Sequence, residues 1–191
     1  MKAFKKRQAV YADLAALPES LVGELVDGEL TASPRPAIPH SNAAGEVVSA
    51  LRGPFHHGDG GGPGGWWLLP EPELHLGADV LVPDVAGWRR ERLPKLPNAA
   101  YCQVAPDWVC EVLSPSTAGF DRVKKMPLYL REGVGHVWLV DPGTRTVEVF
   151  RRAESHWLLV GSFASDPRAR LEPFEAFEFN LQRLWVDDDG A

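Results

Sequence analysis

Trp108-Val109-Cys110-Glu111-Val112-Leu113-Ser114-Pro115-Ser116-Thr117 sets one carboxylate in the middle of an apolar run and closes the run with a polar turn. Six residues of this kind predict a buried strand. Side chains alternate faces along a strand, so Glu111 shares a face with Val109 and Leu113. A carboxylate inside such a run is costly unless a partner compensates it. Upstream, the run Val80 to Trp88 poses the same problem. Read as a strand, it puts Asp84 on a face with Val82 and Ala86. Either residue alone has a structural reading, a buried carboxylate held by hydrogen bonds. Two of them on strands that can be neighbours repel each other and call for a cation. Oxygen donors suit Mg²⁺ or Mn²⁺, one or two ions. No Cys/His cluster has zinc spacing, and His56-His57 reads as surface.

Downstream of the turn a helix is expected from about Phe120 to Arg131. Asp121, Lys125 and Tyr129 recur every four residues and line one of its faces. They read either as a surface ion pair with an aromatic over the sheet edge, or as a lysine leaning over the carboxylate strand. Pro127 cannot donate to the carbonyl of Val123, so this helix is expected to start late or kink.

The remaining segments complete the pattern. A short helix is expected at Tyr11 to Leu17, and a hairpin at Val22 to Thr31 around Asp27-Gly28. A helix follows from Ser41 to Leu51 with Ser41 as N-cap. The glycine-rich stretch Gly58 to Gly65 has no following Gly-Lys-Ser/Thr and reads as a connection rather than a phosphate cradle. Strands are expected at Trp66 to Leu76, Val80 to Trp88, Trp108 to Leu113 and His136 to Asp141, then hairpins over Thr146 to Phe150 and Trp157 to Phe163. This order predicts an α/β fold with a mixed central sheet flanked by helices.

A length of 191 residues suits one domain, 1–191, with a frayed acidic tail at about 187–191. No apolar run approaches the ~20 residues of a membrane helix, and the basic start is not followed by a secretory apolar stretch. Cys102 and Cys110 fit neither a redox pair nor a zinc knuckle, which points to a reducing, cytoplasmic setting. The net charge of −6 is unlike the usual basic balance of a protein whose main job is coating nucleic acid, whereas an enzyme that touches DNA only at a cleft need not be basic.

Four segments resemble the Uma-two family, a group within the PD-(D/E)XK restriction-endonuclease-like superfamily. They are Glu24-Leu25-Val26-Asp27-Gly28-Glu29-Leu30 with Ser33-Pro34 and His40; Pro83-Asp84-Val85; Glu111 to Thr117; and Asp121 through Lys125, Pro127-Leu128-Tyr129 and Gly133-Val134 to Trp138-Leu139-Val140-Asp141. The resemblance implies a restriction-endonuclease-like core. It implies Asp84, Glu111 and the Val112 carbonyl as metal ligands, with Glu24 as an extra acidic residue. The superfamily's lysine two residues after the second acid is replaced here by Leu113. Lys125, with Lys124 as the alternative, then supplies that lysine, and His40, Tyr129 and Asp121 are accessory. Gly23 and His136 stand where the family usually carries an aromatic and an acidic residue.

The function expected is metal-dependent hydrolysis of DNA phosphodiester bonds. The alternative is a non-catalytic nuclease-fold module that binds nucleic acid or a protein partner. A serine hydrolase built on Ser114 or Ser116 is disfavoured, because Ser114 to Thr117 reads as capping before a helix and no Gly-x-Ser-x-Gly elbow is present. A homodimer is expected on general grounds for such proteins.

Overall fold

The computed structural model describes residues 7–186, so the acidic tail expected at 187–191 lies outside the described residues. Helix α1 (Tyr11–Ala15) packs on a hairpin of β1 (Leu21–Val26) and β2 (Glu29–Pro34). Asp27 (φ 51°) and Gly28 (φ 75°) form its two-residue turn. Positive φ at both positions matches the twist of the flanking strands. A Cβ at Gly23 would lie 2.5 Å from Leu17 Cδ1, so a larger residue there would push the Leu17 side chain aside.

Helix α2 spans Ile38–Leu51 and is capped at Ala37. This corrects the expected start at Ser41. Pro39 sits in the first turn, where its missing N–H costs nothing, and Ser41 lies inside the helix with its N–H bonded to Ala37 O at 3.0 Å. A π-helical turn, Arg52–His57, follows. The glycine-rich stretch then folds back on it, with the Gly64 N–H bonded to Pro54 O at 2.9 Å.

Two expected strands are each broken in two. Trp66 to Leu76 becomes β3 (Trp66–Pro70) and β4 (Glu73–Leu76); Val80 to Trp88 becomes β5 (Asp79–Leu81) and β6 (Val85–Arg89). The breaks fall at Glu71-Pro72 and at Val82-Pro83-Asp84. Proline cannot donate to a ladder, and Glu71 takes a φ of 43°. The breaks lie side by side, joined by the Glu71 N–H to Asp84 O at 3.0 Å. At this point the chain passes twice between two sheets.

The first sheet has the order β2-β1-β5-β4-β7, with β7 at Tyr101–Cys102. The second contains β8 (Trp108–Val112), β9 (His136–Asp141), β10 (Thr146–Ala153) and β11 (His156–Ala164) in the order β11-β10-β9-β8-β6-β3. Strands β8 and β9 run parallel, which requires a crossover. That crossover is helical from 118 to 131: α3 (Ala118–Phe120), a π-helical turn (Asp121–Lys125) and α4 (Met126–Arg131). The expected disturbance from Pro127 takes the form of this wide turn immediately before it.

The second sheet is covered on both faces, which explains why β8 reads as a continuous apolar run. Trp108, Cys110 and Val112 pack under α2 with Trp138 and Phe174. Val109 and Leu113 face the other way, against Leu128 and Tyr129 of α4. Both cysteines are free and buried. No helix among the described residues is long and apolar enough to cross a membrane.

Candidate active site

Glu111 lies on the β8 face that meets the crossover helix, and its side chain is 3% exposed. Tyr129 donates its hydroxyl to Glu111 Oε1 at 2.5 Å. The Lys125 ammonium donates to Glu111 Oε2 at 3.0 Å. It also lies 2.9 Å from Glu24 Oε1 and 3.5 Å from Asp121 Oδ1. The helical spacing of Asp121, Lys125 and Tyr129 therefore builds a buried network, not a surface ion pair. Glu24 reaches it from β1 and also accepts from the Val82 N–H at 3.0 Å.

Asp84 is not on a continuous strand. It sits in the break before β6, where its Oδ2 accepts from the Val112 N–H at 2.7 Å. This bond docks the break beside Glu111. His40, in the first turn of α2, places Nε2 at 3.4 Å from Asp84 Oδ1, while its Nδ1 is buried without a hydrogen-bond partner.

One cavity of about 290 Å³ collects these groups. Glu24, His40, Asp84, Glu111, Asp121 and Lys125 line it, as does Val112. Tyr129 supports Glu111 from behind, and Leu113 is packed at 4% exposure in the apolar layer beneath α4. Lys124 does not line the cavity.

One ammonium cannot neutralise this many carboxylates. Burial raises the Glu111 pKa well above the usual glutamate range, against the pull of Lys125 and helped by Asp121, Asp84 and Glu24. Burial likewise raises Asp121, against Lys125. Burial would lower Lys125, but Glu111 and Glu24 more than offset it and hold the ammonium charged. His40 follows the same logic, with burial pulling down and Asp84 raising it further. The cavity thus gathers more carboxylates than cations, oxygen donors whose ionised form a hard divalent cation would stabilise. Among the described residues no three His, Cys, Asp or Glu side chains stand at metal-holding spacing. An ion here would rest on Asp84, Glu111, the Val112 carbonyl and water, as suits Mg²⁺, which keeps several waters and takes one or two carboxylates.

Sequence reasoning missed the rim. Arg35 and Glu71 line the cavity, and so do Ser114, Pro115, Ser116 and Thr117. Arg35 follows the quoted Ser33-Pro34 directly, so the signal was a lone cation between two prolines. The capping expected of Ser114 to Thr117 is not formed: Ser114 Oγ accepts from the Thr117 N–H at 3.2 Å in a turn ahead of α3, whose N-cap Thr117 makes no side-chain capping bond.

Comparison with known proteins places this geometry in context. The sequence model of the Uma2 family, described as "Putative restriction endonuclease", matches residues 11–183. A crystal structure of "a putative nuclease belonging to DUF820 from Anabaena variabilis ATCC 29413" superposes with a TM-score of 0.72 at 24% identity. The match covers 92% of this chain and 96% of that one, and it shows a shared fold. No curated protein matches the sequence.

Proposed function

We propose, from the premise that this chain belongs to the Uma2 family, that it is a metal-dependent nuclease hydrolysing DNA phosphodiester bonds at the Asp84–Glu111–Lys125 cavity. Family membership supports a nuclease-like function. The observation that carries the finer reading is the Lys125 ammonium held 3.0 Å from Glu111 in a cavity that Asp84 also lines. A carboxylate pair with a fixed ammonium is the equipment that phosphoryl transfer needs, because catalysis there is mostly positioning and charge stabilisation.

Mg²⁺ or Mn²⁺ held by Asp84, Glu111 and the Val112 carbonyl would supply Lewis-acid stabilisation of charge on the phosphoryl oxygens. Lys125 donates to a phosphate oxygen or to the attacking water, and its raised pKa keeps it cationic at neutral pH. Tyr129 and the Val112 N–H fix the orientation of Glu111 and Asp84. Asp121 and Glu24 aim the ammonium.

The alternative, a non-catalytic binding module, is favoured by one observation: Lys125 already contacts three carboxylates. The test is cleavage of plasmid and single-stranded DNA with Mg²⁺ or Mn²⁺, with Asp84→Asn as control. Metal-dependent cleavage lost in the variant supports the nuclease. A wild type inert with both metals sinks it in favour of the binding module.

A further inference from the structure

We infer that Arg35 is a substrate-positioning residue, whose guanidinium holds the phosphate next to the scissile one on the same DNA strand. This rests on the nuclease reading above and adds the contact that keeps a polyanion at a carboxylate-rich cavity.

Charge sets the problem. Glu24, Glu71, Asp84, Glu111 and Asp121 line the cavity, against two permanent cations, Arg35 and Lys125. Such a lining offers little attraction to DNA, whose binding draws on cations placed against its phosphates. Lys125 cannot supply that attraction beyond the reacting group. Its side chain is 5% exposed, and its ammonium lies within 3.5 Å of Glu24, Glu111 and Asp121. A divalent ion at Asp84 and Glu111 would likewise act on the reacting phosphate alone. Each strand carries a further phosphate every ~3.4 Å of helix axis. A neighbouring phosphate therefore lies at the rim whenever one occupies the cavity, and it needs a cation of its own.

Arg35 is the cation left over. It is exposed and lines the cavity between Pro34, the last residue of β2, and Ala37, the cap of the helix that carries His40 to Asp84. Its guanidinium makes one hydrogen bond, from Nη2 to the Glu19 carbonyl at 3.3 Å. Among the described residues it has no carboxylate partner, although Glu71 lines the same cavity. A guanidinium has five N–H donors in a planar fork that matches two phosphate oxygens at once. One bond to a backbone carbonyl anchors the group and leaves most of that fork available.

The hydroxyls of the β8–α3 turn line the same cavity but are already engaged. Ser116 Oγ lies 3.0 Å from Ser114 Oγ, which lies 2.9 Å from Thr117 Oγ1, and the Thr117 side chain bonds to Asp121. Three hydroxyl protons thus serve three contacts in a chain that ends on a carboxylate of the Lys125 network. Arg35 is the charged rim group with donors to give. Phosphates lie on the outside of a double helix, so a rim cation meets one without any unpairing of the bases.

The experiment separates binding from chemistry on a fluorescein-labelled DNA duplex. Steady-state cleavage with Mg²⁺ compares the wild-type chain with Arg35→Ala and Arg35→Lys. Anisotropy with Mg²⁺ across a salt series reads binding by the same variants in the Asp84→Asn background. Arg35→Ala should raise KM and weaken binding ~10-fold, with kcat within ~2-fold of wild type. Its log–log salt slope should flatten by about 0.9, one phosphate contact. Arg35→Lys should recover the slope but only part of the affinity, since the charge returns without the fork. A neutral methylphosphonate at the linkage beside the mapped cut should cost the wild type the same ~10-fold and cost Arg35→Ala nothing more. Arg35→Gln, which keeps a donor for the Glu19 carbonyl, gives the same readouts if alanine disturbs the fold. Unchanged KM, affinity and salt slope in Arg35→Ala overturn the inference and leave the nuclease reading standing. A fall in kcat at constant KM also overturns it, because Arg35 would then act on the chemistry. Binding that depends on Arg35 in a chain that never cleaves sinks the nuclease reading and keeps the phosphate contact. A wild type that neither binds nor cleaves overturns both.

Discussion

Asp84 accepts a hydrogen bond from the backbone N–H of Val112 at 2.7 Å, so a loop residue is tied directly to the strand that carries Glu111. The bond uses one carboxylate oxygen and leaves the other near His40. Charge and anchoring can therefore be separated by substitution. Asp84→Asn keeps an acceptor for Val112 and loses the charge. It should change stability by less than ~1 kcal/mol while lowering Mg²⁺ affinity at least tenfold by calorimetry. Asp84→Ala should in addition cost ~1–3 kcal/mol, because the Val112 N–H is left without a partner. Equal urea midpoints for the two variants would remove the anchoring role.

Glu111 was legible in the sequence because a strict alternation holds throughout β8. Asp84 was singled out by assuming the same alternation along Val80 to Trp88, yet that strand is broken at Val82-Pro83-Asp84. Pro83 was the signal for the break, and the apolar run around it outweighed it. The same masking hid the split at Glu71-Pro72. Of the first sheet only the β1-β2 hairpin was visible, because β4, β5 and β7 are too short for periodicity to register. Lys125 was readable from four-residue spacing. The π-helical turn that carries it was not, since no local sequence rule distinguishes that turn from α-helix.

Leu113 tests whether the strand position two residues after Glu111 can host the lysine. It packs against the α4 layer and does not line the cavity. Leu113→Lys should therefore cost ~2–5 kcal/mol, combining lost packing with a buried charge. Added to Lys125→Met, it should restore no cleavage. Recovery of activity in the double variant would show that the two positions exchange roles.

The metal-free protein should lose stability as pH rises from about 4.5 toward neutrality. Glu111 and Asp121 both hold protons above their ordinary values of 4.5 and 3.8. Between the unfolded and folded pKa values the folded state binds more protons, so stability falls with rising pH. Lys125, raised above its ordinary 10.5, contributes evenly across this window and declines only above it. Calorimetric scans in a chelator at about pH 5 and about pH 7.5 should differ by on the order of 1–3 kcal/mol. Glu111→Gln should flatten the slope. Mg²⁺ should raise Tm more at the higher pH, where more carboxylate is ionised. A slope unchanged in Glu111→Gln would place the titration elsewhere.

Lys125→Met removes the one ammonium shared by Glu24, Glu111 and Asp121 and keeps most of the side-chain volume. Three buried carboxylates are then uncompensated, and breaking a buried pair in this way costs ~3–5 kcal/mol. The loss should be largest without metal and shrink when Mg²⁺ is added, because the cation takes over part of the neutralisation. Metal affinity should hold or rise, since a nearby positive charge is gone. Cleavage should fall ~10²–10⁴-fold, the usual cost of losing one positioned electrostatic group. Lys124→Ala should leave cleavage within a few-fold of wild type, because Lys124 stands outside the cavity. Chemical denaturation with and without Mg²⁺, calorimetry and cleavage on the same two variants separate these effects. A stable Lys125→Met with full activity would make the lysine dispensable. If Lys124→Ala were the inactive one, the helix would engage substrate through its other face.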